Sequence, residues 1–598
     1  MRTLLRIGSL CLALWLPTFS AAQEPRGPAG DNSSVLFELP DLEALLKGGM
    51  RDVIERYDTE LRSIHRYYDV ESSSTRAAQT KALAQGWQAG LAKLDFESLD
   101  QAGKVDFLLL CNKLDYQLQE QAIQAQKRAA TLPFLAFRER IVGLQESRRR
   151  FEPVDPQEAA RGLLELSEEV RELTRRARLG LKPDAAPDEC LRGPRPVVNR
   201  AASEVRALTR TLASWYGFFE GYDPLFSWWV KQPYGEAKSA LEQYGKCLRE
   251  ELVGVGQGDR NTIIGDPIGR AALLVELKHE MIAYSPEELQ GISEIEFAWC
   301  EKEMLKASEE LGFGADWRAA LEHVKGLHLE PGKQPELVRD LAWEAIDFLE
   351  EHELVTIPEL AKHGWRMEMM SLERQKFTPF FTGGEVVSVA FPTDAMSHPE
   401  KLMSLRSNNI HFSRATVHHE LIPGHHLQGF MRARHSTHRR TFGTPFWLEG
   451  WALYWEMLLW DLGFQKSPED RVGMLFWRMH RCARILFSLG YELGELSPEE
   501  CIQMLIERVG HEPSTAEAEV RRSVQGGYPP LYQAAYMLGG LQIRALHQEL
   551  VPSGRMGQRA FHDAVLKRNS IPIEMLRAEL LGLELVRDHR PNWRFYPN

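Results

Sequence analysis

The segment His418-His419-Glu420-Leu421-Ile422-Pro423-Gly424-His425-His426 gathers four imidazoles around one carboxylate. Two histidines on one helix face can hold a zinc ion, and a glutamate beside the first is then free to act as a base on water. The ordinary spacing of the two ligands is four residues. Here Pro423 stands four after His419, and the next imidazoles are His425 and His426. In an unbroken helix His425 would point about 120° away from His419, while His426 would share its face roughly 10 Å further along. Neither position chelates one ion together with His419. Pro423 lacks a backbone N–H and Gly424 tolerates dihedrals closed to other residues, so a two-residue bulge at Pro-Gly is expected. That bulge would bring His425 to the place normally taken by the fourth residue after His419.

Downstream, Trp447-Leu448-Glu449-Gly450-Trp451-Ala452-Leu453-Tyr454 reads as a following helix. The segment Val417-His418-His419-Glu420, with Glu449 standing 24 residues after His425, resembles the angiotensin-converting-enzyme-like and related helical carboxypeptidases. Those enzymes take a glutamate from a following helix as third metal ligand and have no Pro-Gly insertion. A closer resemblance is to the bacterial domain-of-unknown-function family 885. It is carried by Glu420 to Gln428, by Glu449-Gly450-Trp451-Ala452-Leu453-Tyr454, by Tyr536-Met537-Leu538-Gly539 and by Phe561-His562-Asp563-Ala564-Val565-Leu566. These anchors cover at least residues 350–585. The resemblances imply a mostly α, zincin-like fold with a deep cleft, a small β element beside the metal-binding helix, and a metallopeptidase activity. They imply one Zn2+ per chain, bound by His419, His425 and Glu449, and both spacings favour His425 over His426. One departure stands out. The family commonly carries Pro-Gly-Gln where this chain reads Pro530-Leu531-Tyr532, so Tyr532 replaces a glutamine whose role does not carry over.

The remaining site assignments follow from that frame. Three protein ligands leave a coordination position open, the catalytic pattern, and Glu420 becomes the general base. The transition-state oxyanion needs a donor besides the metal. Tyr532 and Tyr536 are four apart and share a helix face, with Tyr528 just upstream. Helical zincins often use a tyrosine from a late helix, which points to Tyr536, with Tyr528 and Tyr532 as candidates to contact the substrate; the alternative is an aromatic core stripe. His426 is a candidate to bond substrate or the Glu449 carboxylate, against a simple packed histidine, and His411 and His418 read as structural. Arg522 is a candidate to bind a substrate carboxylate, against an exposed arginine. Val389, in the strand-like run Val386 to Phe391, could pair with extended substrate backbone, against a buried structural strand. Phe226, Trp228 and Trp229 read as core.

These groups need a helical scaffold. Residues 35–180 are rich in Leu, Ala, Glu, Gln and Arg, all good helix formers. Helices also fit 199–217, 236–253, 285–312 and 334–352. The clearest strand is Glu385 to Phe391, and loops are marked at 183–196, 254–269 and 330–335. The expected organisation is a signal peptide over 1–22, a helical region over 23–370 forming a cleft wall, and a metal-binding region over 371–598 continuous with it. Arg2 and Arg6, the apolar run to Phe19 and the small residues Ser20-Ala21-Ala22 carry the export signal. Cys11 follows Leu10, which disfavours a lipoprotein site. The six cysteines beyond it form no CxxC pair and read as buried thiols.

A net charge of −12 argues against nucleic acid and against an electrostatic grip on anionic lipid. No later segment is apolar and long enough to insert in a membrane. The expected function is an exported, periplasmic or secreted, zinc-dependent hydrolase of short peptides or small amides. The alternatives are an amidase or esterase on a non-peptide substrate, and a non-catalytic peptide-binding protein of the same fold.

Overall fold

Polar residues placed just before apolar runs set where the helices around the site begin. Asn409 accepts hydrogen bonds from the backbone N–H groups of His411 and Phe412 and opens the helix Ile410–Glu420. Thr444 and Ser467 do the same for Pro445–Asp461 and Pro468–Glu492, each with proline at the first helical position, where no N–H is needed. The computed structural model describes residues 36–259, 261–375, 378 and 380–597; the export signal expected over 1–22 lies outside them. Among the described residues it contains 24 α-helices and a two-stranded sheet, so the fold is mostly α. No described helix is long and apolar enough to cross a membrane.

The chain from Leu39 onward folds as one unit. Within it, helices Arg138–Arg149, Pro156–Leu179, Arg195–Phe219 and Pro224–Lys246 pack around a cluster that includes Leu166, Leu208, Leu212, Trp215 and Tyr244. The C-terminal part is built on Pro468–Glu492, buried along almost its whole length, and on the pair Pro445–Asp461 and Tyr532–Leu550. Those two helices touch backbone to backbone at glycines. A Cβ on Gly450 would lie 2.5 Å from the Gly539 carbonyl carbon, and one on Gly539 would lie 2.1 Å from the Phe446 carbonyl oxygen. No side chain fits there, which fixes how deeply the two helices interlock.

The expected helices are all present, with ends shifted by a few residues: Arg195–Phe219, Pro286–Glu310 and Gln334–Glu351, while 236–253 is the second half of Pro224–Lys246 and its continuation to Leu252. The expected strand is Val386–Val389, paired in parallel with Arg366–Met369. Phe226 is buried, but Trp228 is 82 % exposed and Trp229 43 %. These two tryptophans are surface residues and not core, because the buried face of the helix runs through Phe226, Val230, Pro233 and Ala237, and Trp228 and Trp229 fall off that stripe.

Candidate metal centre

The helix that carries His418, His419 and Glu420 ends at Glu420, and a new one starts at His425. Between them the chain turns back on itself. The Gly424 N–H donates to the His418 carbonyl at 3.0 Å, and a Cβ at Gly424 would lie 1.7 Å from the His419 carbonyl oxygen, so only glycine permits the approach. The turn is held from outside by Trp451, whose indole N–H donates to the Pro423 carbonyl at 2.8 Å. The expected bulge thus takes the form of a full helix break.

The break brings His425 beside His419, their ring centres 4.9 Å apart and nearly perpendicular. Glu449, from Pro445–Asp461, joins them. Its Oε2 lies 3.1 Å from His425 Nε2 and 3.7 Å from His419 Nε2, and the three donor atoms all fall within 4.8 Å of one another. Ligands about 2.0–2.1 Å from a tetrahedral zinc lie about 3.3 Å apart, so the measured separations bracket the required value. Each donor is also held from behind. His419 Nδ1 donates to Glu456 Oε1 at 2.7 Å, which leaves Nε2 facing Glu449 and His425. His425 Nδ1 lies 3.4 Å from Gln428 Oε1, and the Gln428 amide is fixed by the carbonyls of Trp447 and Leu448. Tyr532 donates its hydroxyl proton to Glu449 Oε1.

The charges in the cluster support one another. Burial disfavours the Glu449 carboxylate, but the positive fields of His425 and His419 win and hold its pKa well below the usual carboxylate range. Burial likewise works against a charged His425, yet Glu449 lifts it to about 9. Two imidazoles and a carboxylate converge on one point, each with an outer partner, an arrangement that could hold a metal ion. The donor chemistry, two imidazoles and a carboxylate, fits zinc.

A pocket of about 230 Å3 opens on the cluster, lined by His419, Glu420, His425 and Glu449 and by Tyr528, Tyr532, Tyr536 and Arg522. It therefore gathers eight of the ten residues singled out from the sequence. Glu420 lies under the Phe380–Gly384 loop: the Gly384 N–H donates to its carbonyl at 3.2 Å, and a Cβ at Gly383 would meet its Oε2 at 2.3 Å. Tyr536 is buried, with its ring parallel to His419 at 6.1 Å. Burial pushes its phenol up to about 12, with Glu449 adding and the nearby arginines opposing, so it is a proton donor at neutral pH.

Two assignments do not hold. His426 points away from the pocket and donates Nε2–H to the Ala361 carbonyl at 2.7 Å, so it bonds neither Glu449 nor anything in the pocket. As consecutive residues of the new helix, His425 and His426 point about 100° apart. Val389 is fully buried in a cluster with Val338, Leu341 and Val417. The strand's other flank is taken by Thr382, which exchanges both backbone hydrogen bonds with Ser388, so this edge is closed to a substrate strand. The site also uses residues that the sequence motifs did not mark. Glu456, two helical turns beyond Glu449 on the same face, lies buried behind His419. Arg481 and Arg484 line the pocket from Pro468–Glu492. Their spacing of three, continued back to Arg478 in a helix buried along almost its whole length, is the signal that could have marked them.

The family described as "Bacterial protein of unknown function (DUF885)" matches residues 59–580 of the chain. Among solved structures, "a putative lipoprotein of unknown function from Shewanella oneidensis" is similar, with a TM-score of 0.62 at 16 % identity over 89 % of this chain and 99 % of that one. "The putative lipoprotein from Colwellia psychrerythraea" superposes with a TM-score of 0.57 at 15 % identity, over the same shares. At such identities the likeness is one of fold. No curated protein matches the chain.

Proposed function

The chain belongs to the bacterial DUF885 family, and from that premise and the geometry above we propose that it is an exported, zinc-dependent hydrolase that cleaves short peptides. The observation that carries the reading is the convergence of His419, His425 and Glu449, each oriented by an outer partner, on a pocket that also contains Glu420. A zinc ion held by those three residues would supply a Lewis acid that polarises a carbonyl and lowers the pKa of water towards about 7.

The chain's own groups then divide the work. Glu420, next to the first ligand but outside the donor cluster, accepts a proton from the attacking water and returns it to the leaving amine. Tyr536, protonated and facing the pocket, donates to the oxyanion as it forms. Tyr532 takes a different part from the substrate contact expected of it, because its hydroxyl is committed to Glu449 and holds that carboxylate in place. The lipoprotein descriptions of the two structural neighbours support export, as does the N-terminal sequence.

The test is hydrolysis of a peptide library by the zinc-reconstituted protein, wild type beside Glu420→Gln. The expected loss is about 10²–10⁴-fold in kcat, with zinc content and melting temperature unchanged. Hydrolysis that survives Glu420→Gln would falsify the mechanism.

A further inference from the structure

We propose that Arg522 and Arg481 form a carboxylate-recognising subsite in the same pocket, so that the preferred substrates carry a carboxylate beside the bond to be cleaved. The proposal rests on the hydrolase reading and adds a substrate class to it.

Three guanidinium groups, those of Arg481, Arg484 and Arg522, line one small pocket. Arg484 is matched by Glu519 at 2.7 Å. Arg481 has its nearest carboxylate, Glu456, at 3.7 Å, and that oxygen already accepts the His419 proton. Arg522 donates Nε–H to the Tyr528 hydroxyl at 3.1 Å and pairs with no carboxylate among the described residues. Three cations therefore stand against two carboxylates, leaving the pocket one anion short. Glu449 does not make up the difference, because its carboxylate is already engaged by His425 at 3.1 Å and by the Tyr532 hydroxyl.

A buried, incompletely paired charge is costly. Arg481 and Arg484 are 5 % and 2 % exposed, and Arg481 Nε and Arg484 Nη1 have no hydrogen-bond partner. Both are partly sustained by the Tyr536 ring, at 4.9 and 4.3 Å. The face of that ring and the planar forks hold the guanidinium groups in fixed orientations, the preorganisation that suits bidentate contact with a carboxylate. The volume points the same way. Pockets for drug-sized ligands span about 300–1,000 Å3, and one of about 230 Å3 suits a short, charged end of a substrate. The carboxylate can come from a peptide's C-terminus or from an Asp or Glu side chain.

The experiment compares acetyl-Ala-Ala, its carboxamide and acetyl-Ala-Asp-carboxamide. Binding is measured by calorimetry on metal-free protein, and hydrolysis on zinc-loaded protein. One of the two carboxylate peptides should bind at least about 30-fold more tightly than the neutral amide. Preference for the first identifies a terminal carboxylate, and preference for the third a side-chain carboxylate. Arg522→Gln should reduce the advantage to less than about threefold, and Arg522→Lys should restore part of it. The wild-type comparison stands even if a variant fails to fold. Equal affinities, or no binding of either carboxylate peptide, overturn the proposal. Hydrolysis of the neutral amide at the rate of the others would remove the subsite and leave the hydrolase. A carboxylate preference in binding with no hydrolysis would remove the hydrolase and leave the subsite.

Discussion

At the scale of single residues, the donor cluster is defined as much by what stands behind it as by its three residues. Glu456, Gln428 and Tyr532 each take one polar atom of a donor residue out of play, which leaves the inward-facing atoms as the ones free to share an ion. A ligand and its neighbour should therefore behave very differently. Elemental analysis after zinc reconstitution is expected to find about one zinc per chain in the wild type and in His426→Ala, and almost none in His425→Ala. Retention of zinc by His425→Ala would show that another residue completes the site. Tyr532→Phe removes only the outer partner of Glu449 and should weaken zinc affinity about 10–100-fold, measured by competition with a chelator. Unchanged affinity would mean that Glu449 is positioned by its helix alone.

At the scale of elements, the site depends on two close backbone approaches. One is the turn at Gly424, which lets a broken helix present two imidazoles to one point; the other is the glycine contact between Pro445–Asp461 and Tyr532–Leu550. The second sets the distance between the helix that carries Glu449 and the helix that carries Tyr532 and Tyr536. Gly539→Ala must push them apart, because the nearest atoms are backbone and cannot rotate away. Overpacking of this kind costs about 1–3 kcal/mol, and zinc affinity should fall with it. Denaturant unfolding of the metal-free protein beside zinc titration checks both, and a variant with wild-type values in each would show that the helices have room to spare. The helices themselves were legible in the sequence, from composition, apolar spacing and caps. The partner of the Val386–Val389 strand was not, because Arg366–Met369 is short, mostly exposed and without alternation. Parallel pairing also joins segments that no turn signal links.

At the scale of the whole molecule, several histidines are buried as neutral groups. His562 is fully buried: Nδ1–H donates to the Leu354 carbonyl at 2.7 Å and Nε2 accepts from Tyr454 at 2.8 Å, which fixes one tautomer. Burial drives its pKa down to about 3, with only partial opposition from that carbonyl. His511 falls to about 3 for the same first reason. An unfolded histidine takes up its proton near pH 6.5. Because the folded values lie lower, these groups contribute stability that is complete above about pH 6.5 and is lost as the pH falls towards the folded pKa. Each adds a slope of about 1.4 kcal/mol per pH unit over that window. Urea unfolding from pH 6.5 to 4.5 should show a slope smaller by about that amount in His562→Gln; an unchanged slope would mean that His562 is charged in the native state.

The sequence by itself determined the mostly α class, the helix positions, the family and the set of polar residues around His419, because these follow from local spacing and residue chemistry. Local spacing even required the helix to fail at Pro423-Gly424, since no regular helix could join His419 to a second imidazole. Only the tertiary structure decided which way each side chain faces after that failure. It turned His426 to the Ala361 carbonyl and His425 to Glu449, buried Val389, and gave the Tyr532 hydroxyl to Glu449. It also brought Arg481, Arg484 and Arg522 from two helices into one pocket. Such meetings join residues tens of positions apart, and they are set by how helices pack, which no spacing along one chain segment encodes.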